Sequence, residues 1–267
     1  MNIKKRGAAL FLALALFCSL NACTINDVGK YRVAEKLSEQ SFCVAFRSGD
    51  KVGLAVNAAL EVLSANGKAK ELSVKWFGED GVILQGDGEA LDEILPELEP
   101  RTLLVGYDSG RLPFSGRSKT GLPTGFDVEM AKEACALLGW KTKFIAVDVS
   151  KAEVELNSGN VDCVWGGFAY DENLKKIDTS PVYMTNTIVL ASLSGSDVRG
   201  ISSLSGKTLS LSENSYFNAA LESREAMKEK PAFIVRLLGG SGACIEALNE
   251  GSCDAIITDR AALYHYR

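Results

Sequence analysis

The chain has 267 residues, a net charge of −5, one histidine and seven cysteines. Its basic residues form no patch, which excludes nucleic acid as a partner, and a lone His265 with no CxxC spacing argues against a metal centre. No metal or cofactor is expected, and no Ser/His/Asp or Cys/His constellation points to catalytic residues.

Lys4, Lys5 and Arg6 precede the apolar run Ala8–Leu20, which is too short to span a bilayer. Residues 1–22 are therefore expected to be a targeting segment, removed before the protein works outside the cytoplasm. Loss of that segment takes the net charge from −5 to −8. The remaining length suits one large domain or two lobes.

Taking the elements in order, Tyr31–Leu37 and Ser41–Phe46 are predicted as two short strands. Val52–Asn66 is predicted as an amphipathic helix with Val52, Val56, Leu60 and Leu63 on one face and Gly67 as its stop. A second helix covers Lys68–Phe77. Glu79–Pro100, with two glycine turns and the acidic run EALDEILPELEP, is expected to be a partly ordered connector. Thr102–Tyr107 is a buried strand. TGFDVEMAKEACALLGW, Thr124–Trp140, is a turn and helix, with Asp127 and Glu129 placed in the first turn to complement the helix dipole. A strand in KTKFIAVDV follows. Val161–Gly167 contains another, and Trp165 on it is expected in the core. Ile188–Ala191 is a strand. Ser212–Met227 is predicted as one helix, followed by a strand at Phe233–Leu238, a helix at Cys244–Glu250, a strand at Asp254–Asp259 and a last helix. Besides Cys18 in the targeting segment and Cys23 just after it, five cysteines remain, and of these Cys135 and Cys163 are expected as small core residues. Cys244 and Cys253 flank one helix and are expected to remain unbridged.

Several of these stretches resemble the extracytoplasmic solute-binding proteins of polar amino-acid ABC importers. TLLVGYDSGRLPF and the GFDVE helix resemble the family's beginning, DTSPVY its hinge approach, SSLSGKTLSL its second-lobe strand, and AFRSGDKVGLAVNAALEVLSANGKAKELSVKWFG its C-terminal end. Here that end comes first. The resemblance implies an α/β, two-lobe, type II periplasmic-binding-protein-like fold that is circularly permuted, with a cleft between lobes. Lobe one would comprise 42–78 and 101–189, lobe two 30–41 and 190–267, with 79–100 joining the family's usual ends. Leu20-Asn21-Ala22-Cys23 resembles a lipoprotein cleavage site, implying lipidation of Cys23 and anchoring to the membrane bilayer.

The resemblance further implies a small polar ligand, an amino acid or analogue, handed to an ABC permease in the membrane. A zwitterion in a desolvated cleft requires both an anionic and a cationic complement. Asp259 stands at the family's ammonium-binding position; the alternative is a plain N-cap. Asp108 matches a cleft aspartate. The family's Thr and Arg for the ligand carboxylate fall on Ala169 and Leu174, leaving Asn173 and Lys175 as nearby polar residues. Arg111 stands where an aromatic residue is usual, either as a displaced carboxylate anchor or as a solvated loop residue. Phe114, Gly167, Phe168, Ala169, Ser215 and Tyr216 complete the expected ligand-binding set. Asn214 is an alternative cap, and Val149 replaces a second aromatic. Alternatives are a sensing or scavenging protein that does not transport free amino acids, and a dehydratase-like enzyme in which Asp108 or Glu213 acts as acid or base.

Overall fold

A computed structural model describes residues 27–173, 175–213 and 215–267. The targeting segment, Cys23, Leu174 and Asn214 lie outside the described residues. In chain order the elements are β1 (Tyr31–Phe42), β2 (Ala45–Arg47), α1 (Val52–Ala65), α2 (Lys68–Phe77), α3 (Glu89–Ile94), β3 (Thr102–Tyr107), β4 (Gly110–Arg111), β5 (Ser115–Arg117), β6 (Pro123–Thr124) and α4 (Phe126–Leu137). They continue with β7 (Lys141–Ala146), α5 (Ala152–Asn157), β8 (Cys163–Val164), β9 (Ile177–Thr179), β10 (Met184–Leu193), β11 (Thr208–Ser212), α6 (Ser215–Glu222), α7 (Glu225–Glu229), β12 (Phe233–Leu237), α8 (Gly240–Asn249), β13 (Ala255–Asp259) and α9 (Arg260–His265).

Two five-stranded sheets form the two lobes, in the orders β7-β3-β8-β2-β9 and β1-β10-β13-β11-β12, and β4-β5-β6 make a small third sheet. Each main sheet mixes parallel and antiparallel pairs. Strand alternation divides the second lobe's core: Ala255 and Ile257 of β13 join Leu209, Leu211 and Phe217 on one face, and Ile256 joins Cys244, Ile245 and Leu248 on the other. In the first lobe α1 and α4 bury Val56, Leu60, Phe126 and Met130 with Leu103, Val105 and Trp165. The five described cysteines are buried free thiols. Burial pushes Cys43, Cys135 and Cys244 up to about 12, so they are protonated core residues. Among the described residues no helix is long and apolar enough to cross a membrane.

Two sequence expectations need correction. The predicted pair of strands at Tyr31–Leu37 and Ser41–Phe46 is instead one twelve-residue strand, β1, followed by the short β2. The polar run Lys36–Gln40 imitates a turn, but β1 is an edge strand that pairs with β10 along its whole length, with irregularities at Val33/Glu35 and Lys36/Ser38. The single predicted helix over Ser212–Met227 is two, α6 and α7. Arg224 between them is extended, and the Ser223 hydroxyl donates to the Ala220 carbonyl at 2.8 Å.

The chain passes between the sheets twice among the described residues, from β1 to β2 and from β9 to β10. The two passages lie side by side: Tyr183 N–H donates to Phe42 O at 3.0 Å, and Ser180 N–H to Val44 O at 2.8 Å. The connector runs along them, with Ile83 N–H donating to Tyr183 O at 2.9 Å, then lies over α1, where Gly86 meets Glu61. β10 begins at Met184, six residues ahead of the 190 boundary read from sequence.

Away from these passages the lobes touch at Gly110 and Gly240. Gly240 has φ +76°, and a Cβ there would lie 1.8 Å from the Gly110 carbonyl oxygen. Gly251 has a similar φ of +75° with nothing within 4 Å of its Cβ position. Gly251→Ala is therefore expected to cost only the left-handed backbone penalty, about 1 kcal/mol. Gly240→Ala should cost about 2 kcal/mol more, because the lobe contact must give way. Urea denaturation of the two variants checks this difference.

Candidate functional site

The cleft is built from the ends of strands. β3 delivers Asp108, and the tight turn after it, with Gly110 N–H donating to the Asp108 carboxylate at 2.8 Å, directs Arg111 across the cleft. From the other lobe β13 ends in Asp259. Arg111 is 1% exposed and Asp259 is fully buried. They form a two-point ion pair, Nε to Oδ2 at 3.0 Å and Nη2 to Oδ1 at 2.8 Å. Arg111 Nη1 donates to the Gly167 carbonyl at 2.8 Å, and Nη2 also donates to Gln40 Oε1. Asn186 Nδ2 donates to Asp259 Oδ1 at 2.6 Å and to Gln40 Oε1 at 3.1 Å. The guanidinium carbon lies 4.6 Å from the Tyr216 ring centroid and 5.0 Å from that of Phe42, with Phe114 and Phe217 just beyond. Burial works against the charge on Arg111, but the Asp259 carboxylate more than offsets it, so the guanidinium stays protonated.

The reading of Arg111 as a solvated loop residue is therefore overturned. Asp259 occupies the N-cap position of α9, but its side chain caps nothing and is committed to Arg111 and Asn186. Gly167 has φ +74°, and a Cβ there would come within 2.9 Å of Arg111 Cδ, so a side chain is excluded where the guanidinium docks. Phe114 packs edge-on against Phe42 at 4.5 Å. Ala169 N–H donates to the Tyr216 hydroxyl at 3.4 Å. Asp108, Arg111, Phe114, Gly167, Ala169, Tyr216 and Asp259 thus converge. Phe168 turns into a core cluster that includes Val149, and Ser215 is exposed at the start of α6. Asn173 and Lys175 are also exposed, and Lys175 Nζ donates to the Glu172 carbonyl.

Three participants were not anticipated. Gln40 was hidden in the polar stretch that resembled a turn. Asn186 could have been noticed as the one amide of β10, set between Thr185 and Thr187 ahead of an apolar run. Asp127, expected only to complement the helix dipole in the first turn of α4, is buried and accepts from Gly167 N–H at 2.8 Å and Tyr183 O–H at 2.7 Å. It therefore fixes the glycine turn that receives Arg111.

Space for a solute lies beside the pair. A cavity of about 260 Å³ is lined by Asp108, Arg111, Glu213, Phe217 and Gly240, and an open one of about 590 Å³ by Gln40, Ala169, Tyr170 and Tyr216. Burial raises the Asp108 carboxyl above its ordinary range, against the Gly110 N–H and the Arg111 charge. Among the described residues no group of His, Cys, Asp or Glu could hold a metal ion.

Residues 103–236 match the family of bacterial extracellular solute-binding proteins, family 3. The chain belongs to that family. A probable amino-acid ABC transporter-binding protein of Haemophilus influenzae is 25% identical over 181 residues, 67% of this chain and 66% of that protein. The match thus spans just under two thirds of that relative's length. Among solved structures, a Streptococcus pneumoniae ABC uptake transporter substrate-binding protein with bound histidine is 26% identical with a TM-score of 0.52, covering 62% of this chain and 68% of that one. The ancestral amino acid-binding protein AncCDT-1, described as a precursor of cyclohexadienyl dehydratase, is 25% identical with a TM-score of 0.53, covering 66% and 76%. Two-lobe, type II architecture is common to these folds.

The buried Asp127 gives the site a pH dependence. Burial pushes its carboxyl up to about 6 from 3.8, against the Gly167 and Tyr183 hydrogen bonds. The folded chain therefore holds this proton to higher pH than the unfolded chain. The favourable contribution is complete below the unfolded value and is lost as pH rises through about 6. Relative to Asp127→Asn, the wild-type protein should lose about 2 kcal/mol between pH 4 and pH 7. Denaturation midpoints across that range measure the difference, and parallel curves would contradict it.

Proposed function

We propose that this chain is the solute-capturing component of an ABC importer, tethered to the membrane through a lipidated Cys23, and that it takes an amino acid or related small polar solute between its lobes. The reading is carried by one observation: a guanidinium from one lobe and a carboxylate from the other meet, fully desolvated, in the cleft. These are the complements of the two ends of a zwitterion. An amino acid entering there exchanges one ion pair for two: its carboxylate takes the Arg111 fork and its ammonium takes Asp259. No charge is then stranded in a dehydrated cleft, which would cost several kcal/mol. The usual carboxylate anchor is absent from its expected place in the sequence, and Arg111 supplies it instead.

We further propose that the chain order is a rotation of the family's. β1 and β2, which precede the family match, pair with β10 and with β8 and β9 inside it. On this reading residues 79–100 join the ends that relatives leave free.

Isothermal titration of the Cys23→Ser form with amino acids, simple amines and simple carboxylates tests the function. At least one amino acid should bind, and Asp259→Asn should weaken it about a hundredfold. If no amino acid binds, or if the amine binds as well as the amino acid, the reading fails.

A further inference from the structure

The cleft already contains a cation. Its guanidinium is sealed from water, bound at two points by Asp259, bonded by its remaining donors to Gln40 and Gly167, and stacked on the Tyr216 ring. Those are the contacts a recognition site makes to a bound cation, yet the cation is a side chain of the other lobe. Around it the lobes are shut. Gly110 and Gly240 touch, and the Tyr216 hydroxyl of α6 accepts from Ala169 across the cleft.

We propose that Arg111 is an internal surrogate for the solute's cationic group, and that it closes the lobes when no solute is present. This rests on the solute-binding reading above and specifies how that site is regulated. Binding is then a displacement: a solute must release Asp259 from Arg111 and satisfy both. A simple amine satisfies Asp259 and leaves the Arg111 charge without its partner; a simple carboxylate does the converse. Selectivity for molecules carrying both charges follows from the latch, whatever their side chain. Gln40 and Asn186 hold the latch in register: on the sheet that carries Asp259 the Asn186 amide donates to both Gln40 and Asp259, and Gln40 accepts from Arg111 of the other lobe.

The test uses no solute. Small-angle X-ray scattering of the solute-free full chain should show a compact particle. Arg111→Ala should raise the radius of gyration with an unchanged far-UV circular dichroism spectrum, while Arg117→Ala, an exposed arginine on β5, should leave it unchanged. Millimolar ethylguanidinium, added as the missing side-chain end, should return Arg111→Ala to the wild-type radius and leave the wild-type protein unaffected. An Arg111→Ala protein as compact as wild type, or an open one that ethylguanidinium does not reclose, would overturn the proposal. Failure of every solute to bind would instead count against the importer reading, whatever the state of the lobes.

Discussion

Among the described residues, one ion pair that is buried on both sides reaches across the cleft from lobe to lobe. Arg111 and Asp259 are each removed from water, and that desolvation opposes their attraction. The pair is tenable because the other polar groups around it are arranged for it. Gln40, Asn186 and the Gly167 carbonyl take up the remaining hydrogen-bonding capacity, and the aromatic rings of Phe42 and Tyr216 cover the guanidinium faces. The Gly167 turn is in turn set by Asp127, so a carboxylate at the start of α4 reaches the cleft through one backbone amide.

The elements that carry these groups are also the ones that join the lobes. Gln40 and Phe42 end β1, Asn186 starts β10, and both strands run out of the paired passages between the sheets. Lobe motion therefore changes the geometry of the groups that hold the ion pair. The connector at 79–100 is attached to the same passages by the Ile83 hydrogen bond.

Much of the fold was legible in the sequence because helix and strand periodicities are written in apolar residues. The helices at Val52, Lys68 and Phe126 and the strands at Thr102 and Ala255 all lie where their patterns place them. The edge strand β1 was misread because its polar residues Lys36, Ser38, Glu39 and Gln40 mimic a turn, and the irregularities in its pairing with β10 break the simple alternation. The site was legible in part. Asp108 and Asp259 stand at strand ends, Asp108 before a turn and Asp259 before a helix, positions that can be read locally. The partners of Asp259 cannot be, since Arg111 and Asn186 are separated from it by 148 and 73 positions and only the tertiary fold brings them together. Arg111 shows the limit most clearly: alone in a loop sequence, an arginine looks solvated, and nothing nearby announces a carboxylate from another lobe.

The central claim is that Arg111 and Asp259 act as one unit across the cleft, and a double-mutant cycle measures that directly. Unfolding free energies of wild type, Arg111→Met, Asp259→Asn and the double variant give the coupling between the two positions. The account predicts that each single variant loses about 3 kcal/mol or more and that the double variant recovers much of one loss, because neither charge is then left buried without its partner. Additive losses, with coupling under about 0.5 kcal/mol, would show that the two residues stabilise the protein independently and would contradict the account.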